Sequence, residues 1–158
     1  MRLAATLLGI LLCTLALAAP LGGKDFVRLT PEQLKWQDVR DSHGVQSVTL
    51  AGDAEARQGL YIQRVRFPPH VMDRPHWHPN DRYVTVLKGT WYSGTGPNFD
   101  PSQAVALKPG SVMFHPGKAV HWDGSNSDEE VIVQIVGLAP GDTTPVDPSK
   151  PLWEQLAP

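Results

Sequence analysis

The sequence predicts an all-β domain, a sandwich or jelly-roll barrel, and two observations lead there. From residue 45 onward, short runs rich in β-branched and aromatic residues recur between proline and glycine punctuation. No segment sustains a helical period over about twelve residues, which disfavours layered α/β architectures. At 158 residues, with 41% hydrophobic and 19% charged residues, the chain has the length and composition of one globular domain.

The first element, residues 1–18, opens with Met1 and Arg2, continues as an apolar run from Leu3 and closes on Ala16-Leu17-Ala18. This is the pattern of a cleaved secretory signal. The run of about 16 residues, ended by Pro20, Gly22 and Gly23, is short for crossing about 30 Å of hydrocarbon. An exported protein, periplasmic or secreted and free of the membrane after cleavage, is therefore expected. The single cysteine, Cys13, lies inside this segment, so the mature chain has no disulfide framework, thiolate chemistry or Cys-ligated zinc.

Residues 19–44 read as a lead-in containing one helical turn. Thr30 supplies an N-cap, Pro31 the first helical position and Glu32 the acidic first turn. Residues 45–138 carry the β-runs: Val45 to Leu50, Leu60 to Phe67, Tyr83 to Tyr92, Ala104 to Leu107, Ser111 to Phe114, Ala119 to Trp122 and Val131 to Gly137. In the second run Arg64 and Arg66 share one face, read as the solvated one. Residues 139–158 form a loop-like tail with Trp153 docking on the outside, and no residue type in the tail points to chemistry.

Charge excludes one partner class. Fourteen Lys and Arg against sixteen Asp and Glu leave a net charge of −2, and no basic run is present to neutralise a phosphate backbone. Nucleic acid is not an expected partner. Gly-x-Ser-x-Gly is absent, and Asp128-Glu129-Glu130 is a turn cluster whose neighbouring carboxylates point apart.

Four of the six histidines fall in two compact motifs, His76-Trp77-His78 and the segment from His115 to His121. Histidines at i and i+2 of an extended strand share a face, and a third from a distant strand closes a facial set around one divalent ion. His43 and His70 stand in turn-like surroundings and are read as surface residues.

The two motifs together resemble the cupin family. The first family motif runs from a proline- or glycine-containing turn through His-x-His to an acidic ligand and a glycine; here His76-Trp77-His78-Pro79-Asn80-Asp81-Arg82 leads to Gly89. Gly110, Pro116 and His121 fit the second motif, with Asn126 close to its trailing asparagine. The resemblance covers about residues 68–126 and implies a jelly-roll barrel, a divalent metal held by His76, His78 and His121, and a homodimer. Fe(II) is the favoured ion, with Cu, Ni, Zn and Mn as alternatives.

One departure stands out. The position of the family's metal-binding glutamate is Arg82, whose guanidinium has no acceptor and cannot ligate a cation. A divalent ion about 5 Å from such a cation is repelled by about 6 kcal/mol at an effective dielectric of about 20, so an anion sits between them or Arg82 points elsewhere. Certain cupin dioxygenases similarly hold metal by three histidines. Asp81, through a one-residue bulge, and His115, on an inward-facing strand, are the alternative fourth ligands, although a satisfied core histidine is the expected role of His115.

Trp77, Trp91 and Trp122, in or near the motif strands, are candidate walls for a flat ligand, and Gln134 is a candidate orienting amide. Arg82 and Tyr83 are the candidate catalytic residues, for charge neutralisation and proton transfer. The expected function is an exported metal-dependent enzyme acting on a small oxygenated or aromatic molecule, with a dioxygenase as the leading class. A redox-free lyase or isomerase and a non-catalytic ligand-binding barrel are the alternatives.

Overall fold

The computed structural model describes residues 23–158, so the signal-like segment lies outside the described residues. Among the described residues, thirteen strands form two antiparallel sheets. They are β1 (Gln37–Asp38), β2 (Gln46–Ala51), β3 (Leu60–Phe67), β4 (Val71–Asp73), β5 (His76–Trp77), β6 (Arg82–Lys88), β7 (Trp91–Thr95), β8 (Val105–Leu107), β9 (Val112–His115), β10 (His121–Gly124), β11 (Val131–Leu138), β12 (Thr144–Pro145) and β13 (Trp153–Gln155). The first sheet runs β1-β2-β3-β11-β6-β9. In the second, β4 and β5 follow one another along one edge of β10, β7 takes its other edge, and β12, β13 and β8 extend the sheet outward. This is the predicted all-β jelly roll, with the predicted helical turn at Pro31–Gln33.

β11 organises the first sheet, paired along its length with β3 and on its other edge with β6. Val131, Val133 and Ile135 are buried and face inward, while Ile132, Gln134 and Val136 alternate outward. Val45, Tyr61, Phe67, Val84, Val86 and Trp91 complete the core between the sheets.

The structure divides the run from Tyr83 to Tyr92 into β6 and β7. Gly89 makes the break with a φ of +70°, and a side chain there would collide with the backbone of Glu130. That corner carries the chain from the first sheet to the second. The strand expected at Ala119 begins instead at His121, because Lys118, at a φ of +65°, and the bond from Ala119 N–H to Pro116 O keep that stretch in a turn.

Two short strands in the Pro-rich approach, β4 and β5, pair with β10 and carry site residues. The tail also joins the sheet: β12 pairs with β5 and β13 with β4. Trp153 does not lie on the outside. Its ring packs 6.0 Å from Phe67, and with Leu152 it lines the interior cavity, closing an end that the two sheets leave open.

Candidate metal centre

The pairing of β5 with β10 places His76 directly opposite His121, and His78, two residues beyond His76, returns to the same side. All three side chains are buried, and their ligating atoms lie within 4.8 Å of one another. Each Nδ1 meets a backbone carbonyl: His76 at Arg74 O (2.8 Å), His78 at Asp142 O (2.9 Å) and His121 at Ala119 O (3.0 Å). A carbonyl only accepts, so each Nδ1 carries the hydrogen and each Nε2 keeps its lone pair.

Burial pushes all three imidazoles down, His78 to about 2 with the Arg82 cation adding to the effect, so the rings are neutral near pH 7. His76 Nε2 and His78 Nε2 nevertheless stand 3.0 Å apart. Two lone pairs at that distance repel unless a cation lies between them. Nitrogens bound to one ion at about 2.0–2.1 Å are about 3 Å apart when mutually cis, so this donor set fits a divalent metal. Carbonyl bonds to the remote nitrogens also orient the rings in the manner typical of metal-ligating histidines.

Arg82, at the start of β6, points into the site. It is 9% exposed. Its Nε–H donates to His115 Nδ1 at 3.2 Å and its Nη2–H to His121 Nε2 at 3.1 Å. Among the described residues it forms no ion pair with a carboxylate. The buried guanidinium therefore lies between two neutral rings and reaches the cavity wall.

Two acids that sequence reasoning did not single out complete this wall. Asp73 Oδ1 accepts the backbone N–H of Asp123 at 2.6 Å and lies 3.6 Å from His76 Nδ1, while Asp123 Oδ1 accepts the Trp91 indole N–H at 3.0 Å. Burial pushes both carboxyls well above the ordinary carboxylate range. Asp123 was findable, since it follows His121 at i+2 on an extended strand. Asp73 was hidden in a three-residue strand beside a proline.

Several predicted positions fall elsewhere. Asp81 accepts the backbone N–H of Gly117 at 2.7 Å in an exposed turn and is not a ligand. His115 does face inward, but its Nδ1 is taken by Arg82 and its Nε2–H has no partner among the described residues, so it is only half satisfied. It lies 4.0 Å, ring to ring, from His121 and forms a second possible cation group with His121 and Asp123. His121 has only Nε2 to offer and can serve one of the two groups at a time. His43 is exposed, and His70 pairs with Asp128 at 2.8 Å.

Of the predicted pocket residues, Trp91 lines the cavity and Trp77, Trp122 and Gln134 do not. Trp122 packs edge-on against Phe99 and sits on Gly94, and Gln134 accepts from Arg64 Nε at 3.0 Å. Tyr83, proposed from the sequence as a proton carrier, is 55% exposed and pairs with Phe114. The cause is common to all four. Each sits one step from an inward-facing residue (His76 and His78, His121 and Asp123, Val133 and Ile135, or Arg82), and strand alternation turns it away.

The cavity holds about 170 Å³, lined on its polar side by His76, His78, Arg82, Asp73 and Asp123 and elsewhere by Val, Ile, Phe and Trp side chains. A cavity of about 150 Å³ accommodates a benzene ring. The space suits a small molecule of similar size. Gly141, Thr143, Leu152 and Trp153 from the tail form part of the wall.

Among curated proteins, germin-like protein subfamily 1 members 19 and 17 of Arabidopsis thaliana are each 27% identical over 57% of this chain and 48% of their own length. The chain thus spans about half the length of the curated relatives it matches. Among solved structures, the polyketide cyclase RemF from Streptomyces resistomycificus aligns with a TM-score of 0.63 at 18% identity, over 78% of this chain and 87% of that one. The DMSP lyase DddQ from Ruegeria pomeroyi gives 0.59 at 17% identity, over 75% and 64%. These structural likenesses establish the fold. The cupin profile matches residues 42–146, taking in both histidine motifs and most of both sheets, and the chain belongs to the cupin family.

Proposed function

We propose that this protein is a metal-dependent cupin enzyme that acts on a small anionic, oxygenated molecule, with His76, His78 and His121 holding one divalent ion and Arg82 receiving the negative charge of the substrate. The observation that carries this reading is the convergence of three neutral Nε2 atoms, each fixed by a carbonyl bond behind it. The ion would supply Lewis acidity and, if it is Fe(II) or another redox metal, adjacent positions for substrate and dioxygen.

This chain's own residues do the rest. Arg82 binds and orients an anionic group at the polar end of the cavity. The apolar wall from Val65 to Trp153 excludes water and limits the size of the ligand. A dioxygenase remains the leading class. The buried acids favour a second reading, a redox-free lyase or isomerase: Asp73 and Asp123 hold protons near neutrality and line the same cavity as Arg82, as a general acid or base requires.

Export to the periplasm or beyond, a small-molecule substrate and a homodimer belong to the same proposal, resting on residues 1–18 and on the family resemblance. The test is elemental analysis of the protein purified without chelators or affinity histidines, beside a His76→Ala, His78→Ala variant. Near-stoichiometric metal in the parent and none in the folded variant supports the site. Oxygen uptake with small carboxylates and enolisable ketones then separates the two reaction classes. Ligand binding without turnover would move the protein to the non-catalytic class, and a parent that takes up no ion on reconstitution removes the metal reading.

A further inference from the structure

Arg82 and the metal would share one atom. His121 donates its Nδ1–H to Ala119 O, so Nε2 holds the only lone pair of that ring. The same Nε2 belongs to the three-histidine group and accepts the Arg82 Nη2–H at 3.1 Å. One lone pair serves one strong partner. A cation at the triad and the guanidinium at its present position are therefore alternatives.

Arg82 cannot resolve the conflict by losing a proton, because a guanidinium stays charged in proteins. Nor does any carboxylate stand within ion-pair distance of it among the described residues, the buried Asp73 and Asp123 acting on it only across the shared cavity, and both ring nitrogens that it touches belong to neutral histidines. Its Nε bond to His115 ties it across β6 and β9, where Arg82 and His115 stand opposite one another. A divalent ion entering the triad must break one hydrogen bond and approach a buried like charge. An anion in the cavity changes both conditions: it gives the guanidinium an acceptor to replace His121 Nε2, and it lies between the two positive charges.

We infer that Arg82 competes with the metal for His121 and thereby couples the site to anions, so that a divalent ion and a small carboxylate bind cooperatively. This rests on the three-histidine reading given above and adds an order to it: the ion alone binds weakly, and the ion with its carboxylate binds well. By linkage the coupling is reciprocal, with each ligand raising the affinity of the other by the same factor.

The experiment is a Co(II) titration of the metal-stripped protein, read by the visible absorption of the ion, with and without saturating acetate. Acetamide serves as the uncharged control of the same shape. Acetate should tighten Co(II) binding to the parent about tenfold, and acetamide should leave it unchanged. Arg82→Met should bind Co(II) about tenfold more tightly than the parent without acetate and should lose the acetate effect. Arg82→Gln, which removes the charge and keeps a donor, checks that the result does not depend on one folded variant, and circular dichroism confirms the fold of each.

If both variants bind Co(II) with the parent's affinity or more weakly, or if the acetate effect survives in them, the competition is overturned while the metal site stands. If neither parent nor variants bind Co(II), Zn(II) or Fe(II), the three-histidine reading fails, and the inference fails with it.

Discussion

Asp73 reaches across from β4 to accept the backbone N–H of Asp123 on β10, and this 2.6 Å bond is made by a carboxyl that burial keeps largely protonated near neutral pH. A protonated carboxyl and a carboxamide have similar shapes and similar acceptors. Asp73→Asn should therefore fold with little loss, whereas Asp73→Ala should cost about 1–3 kcal/mol, because it strands a buried N–H. Urea midpoints of the two variants check this, and equal losses would remove the hydrogen bond as the cause.

The protein stripped of metal should lose stability in acid. His76, His78, His115 and His121 all have native values below 6.5, His115 near 3 and His78 near 2. Their stabilising contribution is complete above about pH 6.5 and is lost as pH falls toward those native values. Asp73 and Asp123 have raised values and act oppositely, contributing fully below 3.8 and losing that contribution as pH rises toward neutrality. Between about pH 4 and 6 His78, His115 and His121, joined by His76 in the same direction, oppose two acids, so the net slope favours neutral pH by roughly 1.4 kcal/mol per pH unit for each net proton. A urea midpoint that rises between pH 7 and pH 5 would contradict this assignment.

Gly141→Val should weaken the metal site from a distance. A Cβ at 141 would stand 2.9 Å from the hydroxyl of the buried Tyr61, so this part of the tail must shift and carry the Asp142 carbonyl off His78. Loss of such an orienting bond costs about 10–100-fold in metal affinity. Co(II) titration measures it, with circular dichroism confirming that the variant keeps its fold.

The tryptophans separate by face. Trp91→Phe removes the donor to Asp123 and changes the cavity wall, so ligand affinity should fall, whereas Trp122→Phe should leave it nearly unchanged, since the Trp122 ring packs on Phe99 and Gly94 away from the cavity. Gly94→Ala, which would drive a methyl into the Trp122 indole, should destabilise by about 1–3 kcal/mol without altering ligand specificity. Ligand titrations and thermal melts distinguish the two effects.

The two histidine motifs were legible because i, i+2 spacing survives any rearrangement of the loops around it, and the strand runs were legible because alternation and turn residues are local signals. Arg82 was readable as the departure at the glutamate position, though its bonds to His115 and His121 were not, since they join residues that only sheet pairing brings together. Trp77, Trp122 and Tyr83 were placed near the site by proximity in sequence, and Gln134 by its alternation with Val133 and Ile135. Alternation, applied one residue at a time from His76, His121 and Arg82, turns the first three away from the site, and in β11 it is Val133 and Ile135 that face inward, which leaves Gln134 outside. The tail escaped because β12 and β13 are two and three residues long, too short for a periodic signal, and owe their conformation to the edges on which they dock.

The bond from His78 to Asp142 spans 64 residues. A chain synthesised from its N-terminus thus presents both histidines of β5 long before the carbonyl that orients the second one exists. The three-histidine group becomes a matched set of donors only once residues 142–145 have been made and β12 has docked on β5. Partly made or C-terminally clipped chains consequently lack a properly formed trap for metal ions, and the tail acts as the step that arms the barrel.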